Sequence, residues 1–133
     1  MKRLFACLLL AAAVPHASFA ELPPSAYEKM QSTAPEVFRV KVLRVDVEPT
    51  EDSAVREVTM LAQVLKVGRS HQKVKPDDLI TIKYRVTARE PGWVGPGEVP
   101  ILKEDAETVA YLKPNAEATE YAPAAGAMTF DRF

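Results

Sequence analysis

The chain has 133 residues, 47% of them apolar and 26% charged, with 17 Lys+Arg against 18 Asp+Glu, one Cys and two His. That is the size and composition of one globular domain, and the near-neutral charge supplies no electrostatic footprint for nucleic acid. A single Cys excludes an internal disulfide framework and every zinc site built from a cysteine cluster.

Residues 1–20, MKRLFACLLLAAAVPHASFA, set Lys2 and Arg3 ahead of an apolar run from Leu4 to Val14 and finish on Ser18 and Ala20, a small-x-small pair. This is the pattern of a secretory signal peptide, with cleavage predicted after Ala20. The apolar run falls well short of the roughly 20 residues that cross a bilayer as a helix, so no membrane insertion is expected after cleavage. Cys7 lies inside that run, too close to the basic pair for a lipoprotein cysteine, and leaves with it. The mature chain then has no Cys and one histidine, His71, so neither a thiol nucleophile nor a His pair for a metal remains. An exported domain without cysteines must stand on its core alone, and it points to the periplasm or to secretion.

Residues 21–36 read as an N-terminal lead-in. Pro24 can open a short helix, with Tyr27 and Met30 three apart on one face. From there to residue 133 the signal is β. Phe38, Val40 and Val42 alternate with Arg39 and Lys41, and the apolar positions then move to Leu43, Val45 and Val47. A strand with one buried face changes parity in this way only where a residue is inserted, which predicts a β-bulge or strong coil at Val42–Leu43. The second strand repeats the behaviour, with Val58, Met60, Ala62 and Val64 followed by Leu65 and Val67.

Between these strands EPTEDSAVR (48–56) is a hairpin connection, and Gly68 is expected to end the second strand. Pro76-Asp77-Asp78 turns the chain into a third strand, Leu79–Val86, with Ile80, Ile82, Tyr84 and Val86 on one face. A Gly/Pro-rich loop occupies Pro91–Pro100. Further strands are expected at Val99–Leu102 and Thr108–Leu112, and a last short one at Met128–Phe130, after a loop and an Ala/Pro/Gly segment. Long strands that switch faces suit a small, sharply curved barrel. The expected fold class is all-β, mainly antiparallel, a closed five- or six-stranded OB-like barrel with a short N-terminal helix or lead-in.

The order of pieces, EVFRVKVLRVDV, EVTMLAQVLKV with its polar turn, PDDLITIKY and TVAYL, resembles the netrin-like or tissue-inhibitor-of-metalloproteinase-like version of that barrel. The resemblance is at the level of pattern, spans about three quarters of the mature chain, and implies the fold and export. It carries protease inhibition to no residue. The family's inhibitors chelate zinc through an N-terminal Cys, whereas the predicted mature terminus here is Glu21-Leu22-Pro23-Pro24.

Pro91-Gly92-Trp93-Val94-Gly95-Pro96-Gly97 is the first candidate binding site. The only Trp is held where prolines limit φ and glycines allow close approach, so its ring can be presented at low entropic cost; Gly92, Trp93, Gly95 and Pro96 are its key residues. The alternative is that Trp93 folds back to cap the barrel. Tyr121, ahead of Ala122-Pro123-Ala124-Ala125-Gly126, is the second candidate, offering a hydroxyl, against a loop simply tucked across the barrel. His71 lacks an oriented partner and reads as an exposed loop histidine. The acidic groups Glu51-Asp52, Asp77-Asp78 and Glu104-Asp105-Glu107 lack the alternation and glycine of a calcium loop and read as solvated turns. Arg39, Lys41, Arg44, Lys83, Arg85 and Arg89 would form a positive stripe if strands one and three present them side by side, or else the wet face of a sheet.

No nucleophile–base pair, phosphate-cradling loop or metal cluster is visible, so no cofactor, no metal and no catalytic residue is expected. A hydrolase built from Asp77 and Glu98 is a minor alternative. The expected function is a non-enzymatic binding module acting through an envelope protein partner; a glycan-binding module and a protease-inhibitor-like domain are the alternatives.

Overall fold

The computed structural model describes residues 22–89, 91 and 97–131. Helix α1 spans Pro24–Thr33, followed by β1 (Glu36–Pro49), β2 (Val55–Ser70), β3 (Leu79–Thr87), β4 (Glu107–Pro114), β5 (Glu120–Pro123), a single 3₁₀ turn (Gly126–Met128) and β6 (Phe130–Asp131). The strand order is β1-β2-β3-β5-β4, and β4 pairs back on β1, so five strands close on themselves as a small OB-like barrel. Every pairing is antiparallel except β3–β5, which runs parallel over Thr81–Ile82 against Glu120–Tyr121. β6 extends the row begun by β5 along the second edge of β4, at Val109–Ala110.

The parity changes read from the sequence are register changes in the barrel. Val42 pairs with Ala62 and Arg44 with Leu61, which leaves Leu43 as the inserted residue of β1. On β2, Leu65 and Gly68 are skipped in the same way. Each insertion bends its strand and tightens the twist, and these bends let β1 leave β4 and carry on with β2 as a hairpin past the barrel end. Val45 and Val67, on the shifted parity, still pack against the core.

The interior is built as the alternation requires. Phe38, Val40 and Val42 meet Val58, Met60, Ala62 and Val64 across the β1–β2 ladder, and Ile80, Ile82, Ala110 and Leu112 complete the ring. Phe130 plugs the stretch where β3 and β4 do not pair, its ring 6.2 Å from that of Tyr84. Pro24 stands at the first turn of α1, where its missing N–H costs nothing. Tyr27 is the residue that α1 buries, and Gln31 Nε2 donates to the Met128 carbonyl at 2.9 Å, holding the helix on the 3₁₀ turn.

Four expectations are corrected. β2 continues through Gly68 to Ser70, because the glycine sits at a register change rather than a terminus. Val99–Leu102 is irregular, not a strand. The segment 126–128 is a 3₁₀ turn, and the last strand starts at Phe130. Residues 120–123 form β5, a strand that closes the barrel; four residues ending in proline carry too little periodicity to announce it.

Candidate functional site

The candidate site is the barrel end crossed by the long connection from β3 to β4. Its first residue is tied to the β1–β2 hairpin, where Ala88 N–H donates to the Ala54 carbonyl at 2.7 Å. Arg89 then pairs with Glu98, which brings the two ends of the intervening segment together. Beyond it the Tyr84 hydroxyl donates to the Pro100 carbonyl at 2.7 Å. Val99 and Ala106 pack on the core, and Leu102 is buried in it. The return leg is therefore pinned every two or three residues. Between Leu102 and Pro100, Ile101 faces outward with 41% of its surface exposed. It borders a cleft of about 630 Å³ between this segment and the β1–β4 ladder, whose rim carries Arg39, Lys103, Glu107 and Thr108.

Gly92, Trp93, Gly95 and Pro96 lie outside the described residues. Tyr121 is described, and it is not a surface group. It is 3% exposed, and its ring meets Phe38 edge-on at 5.8 Å, so the expectation of a hydroxyl offered to a partner is corrected to a core residue of β5. Burial, and after it the charges of Glu36 and Asp78, raise the pKa of its phenol.

The other sequence candidates separate in space. The basic residues do not form a free stripe: β1 and β3 lie on opposite sides of β2, and most of these cations have acids beside them. Arg39 pairs with Glu107 at 3.4 Å, Lys41 with Asp105 at 3.9 Å, Arg44 with Asp46 at 3.0 Å and Arg85 with Glu57 at 3.7 Å. Asp77 and Glu98 sit beyond opposite ends of the nine-residue β3, about 30 Å of strand apart, and cannot act on one bond. Asp77 accepts from Gln63 Nε2 while Glu98 is held by Arg89. His71 is exposed, as read. Among the described residues no three His, Asp or Glu side chains converge on a metal position, and no helix is long and apolar enough to cross a membrane.

One buried charged group, Glu36, escaped the sequence reading, and it is structural. Glu36 is fully buried; its Oε2 accepts from Ser70 Oγ at 2.6 Å and its Oε1 from the His71 and Gln72 amides at 2.8 and 3.0 Å. Ser70 Oγ in turn accepts from Val74 N–H at 3.1 Å, so one carboxylate fastens the whole β2–β3 turn to the start of β1. Its even position, in phase with Phe38 and Val40, was the available signal. Tyr84, on the core face as read, is buried as well, and burial pushes its phenol well above the ordinary tyrosine range. Ile101 was missed as a surface residue because a strand was expected there.

No protein-family model, no curated protein and no solved structure matches the chain.

Proposed function

We propose that the protein is a non-enzymatic binding module of the cell envelope, exported by its N-terminal 20 residues, and that the Trp93 loop with the adjacent barrel end contacts another envelope protein. The observation that carries this reading is the exposed Ile101 beside the open cleft, on a connection pinned by Tyr84, Leu102 and the Arg89–Glu98 pair. A connection held in place at its described residues presents side chains at low entropic cost. An exposed aliphatic group rimmed by charged residues is the usual composition of a protein contact, apolar at the centre and polar at the edge.

The netrin-like resemblance belongs to this proposal as an account of the barrel's kinship, without an inhibitory residue. Neutralisation of the cations by neighbouring acids speaks against an anionic glycan as the partner. The test places a photo-crosslinking amino acid at position 93 or 101 in cells of the source organism, with position 83 on the outer face of β3 as control. A discrete protein adduct at 93 or 101 and none at 83 is expected. Absence of any adduct at both would overturn the protein-partner reading of this end.

A further inference from the structure

Past Val42, β1 is paired on one side only among the described residues. β4 accompanies it from Glu36 to Lys41, and Val42 exchanges backbone bonds with Asp105 and Ala106. Along Leu43–Glu48 β2 continues on one side, and among the described residues no strand borders the other. An open strand edge is a template for a further strand. Its phase is set by the hairpin: Thr50 N–H donates to the Val55 carbonyl at 3.3 Å. Bonding direction alternates along an antiparallel ladder, so Val45 and Val47 turn their N–H and C=O groups to the open side.

The side chains along this edge are self-complementary. Val45 and Val47 share the face of their partners Met60 and Val58, and Arg44 and Asp46 share the other; Leu43 stands at the bulge, and Leu43 and Val47 are 37% and 40% exposed. An antiparallel second copy centred on Val45 sets Val45 opposite Val45 and Leu43 opposite Val47. It also sets Arg44 opposite Asp46 on both sides of the two-fold axis. Directly opposed residues share a face in such a pair, and opposite charges there attract. Moving the centre to Val47 would set Asp46 against Glu48 twice and Val45 against Pro49, which has no N–H to give. Centring on Asp46 would oppose Asp46 to itself, so of these three registers the one at Val45 is that in which every directly opposed charge meets its opposite.

We propose that two copies of this chain join through the Leu43–Val47 edge of β1, antiparallel about a two-fold axis at Val45, forming one sheet across the pair. The interface is isologous and closes at two copies. Being a strand edge rather than a broad face, it gives a weak, concentration-dependent dimer. The proposal does not depend on the Trp93 loop.

Sedimentation velocity of the purified protein from about 10 μM to about 1 mM is expected to show monomer passing to dimer. Arg44→Asp and Asp46→Arg each oppose like charges across the axis and weaken dimerisation about tenfold or more. Both also lose the Arg44–Asp46 pair within one chain, so the deciding sample is their equimolar mixture. There each variant meets the opposite charge in the other, and a heterodimer forms although the intrachain pair stays broken in both. A wild-type protein that remains monomeric to the highest concentration overturns the proposal. So does a dimer indifferent to either substitution, or a mixture that stays monomeric while both variants keep the wild-type circular dichroism spectrum.

Discussion

Replacing Glu36 tests whether one buried carboxylate organises the β2–β3 turn. It receives three hydrogen bonds, from the Ser70 hydroxyl and the amides of His71 and Gln72, and bonds to a charged acceptor contribute about 1.5–3 kcal/mol each. The two amides belong to exposed residues, so in Glu36→Ala water can take over much of their bonding. The larger loss is the Ser70 hydroxyl, half-buried and already accepting from Val74, together with the space vacated at the barrel mouth. The sum is about 3 kcal/mol for Glu36→Ala. Glu36→Gln preserves shape and one oxygen for the two amides, but its amide group faces a hydroxyl that must redirect its hydrogen, at about 1 kcal/mol. With a urea m-value of about 1.5 kcal/mol/M, the alanine variant unfolds about 2 M earlier and the glutamine variant about 0.7 M earlier. In the same experiment hydrogen exchange speeds up at His71, Gln72 and Val74 before other amides. An alanine variant within about 0.5 kcal/mol of wild type, with unchanged exchange at those three positions, would refute the assignment of Glu36 as the anchor of the turn.

Two further outcomes follow from other parts of the barrel. The Tyr84 phenol has its pKa raised by burial, so above about pH 10, where the unfolded chain begins to release that proton, the folded state still holds it. Stability is fully present below that pH and falls as pH rises, by up to about 1.4 kcal/mol per unit, with Tyr121 acting in the same direction. Tyr84→Phe makes the alkaline limb of a stability–pH curve shallower, while removing at every pH the bond to Pro100, worth about 1 kcal/mol. At Gly68 a Cβ would stand 3.3 Å from the Val37 carbonyl oxygen and 3.4 Å from its Cγ1. Gly68→Val is therefore expected to cost about 2 kcal/mol and lower the thermal midpoint by about 8 °C, and Gly68→Ala less than half of that, by differential scanning calorimetry.

Much of the barrel was legible because its strands have one buried face. Where burial is one-sided, side-chain parity is written into the order of residues, and an inserted residue shows as a parity change. Leu43 in β1 and Leu65 in β2 were readable for that reason. β3 was readable from Ile80, Ile82 and Tyr84. β5 was not, because its place comes from closing the gap between β3 and β4 rather than from its own four residues. Tyr121 was misplaced with it: an aromatic beside Ala and Pro reads as a loop residue until its ring is seen against Phe38.

The separation between local and non-local information accounts for the rest. Alternation, the bulges marked by Leu43 and Leu65, the opening of α1 at Pro24 and the hairpin between β1 and β2 are properties of short stretches, and the amino-acid order alone determined them. Partnership between distant residues is not local. The parallel β3–β5 closure, the Arg39–Glu107 and Arg89–Glu98 pairs, the three donors gathered on Glu36 and the exposure of Ile101 beside a buried Leu102 exist only when the barrel is shut. So does the edge at Leu43–Val47, which no strand borders among the described residues: its self-complementary charges are visible in the sequence, but that β4 stops short of it was decided by how far the sheet curls before it meets itself.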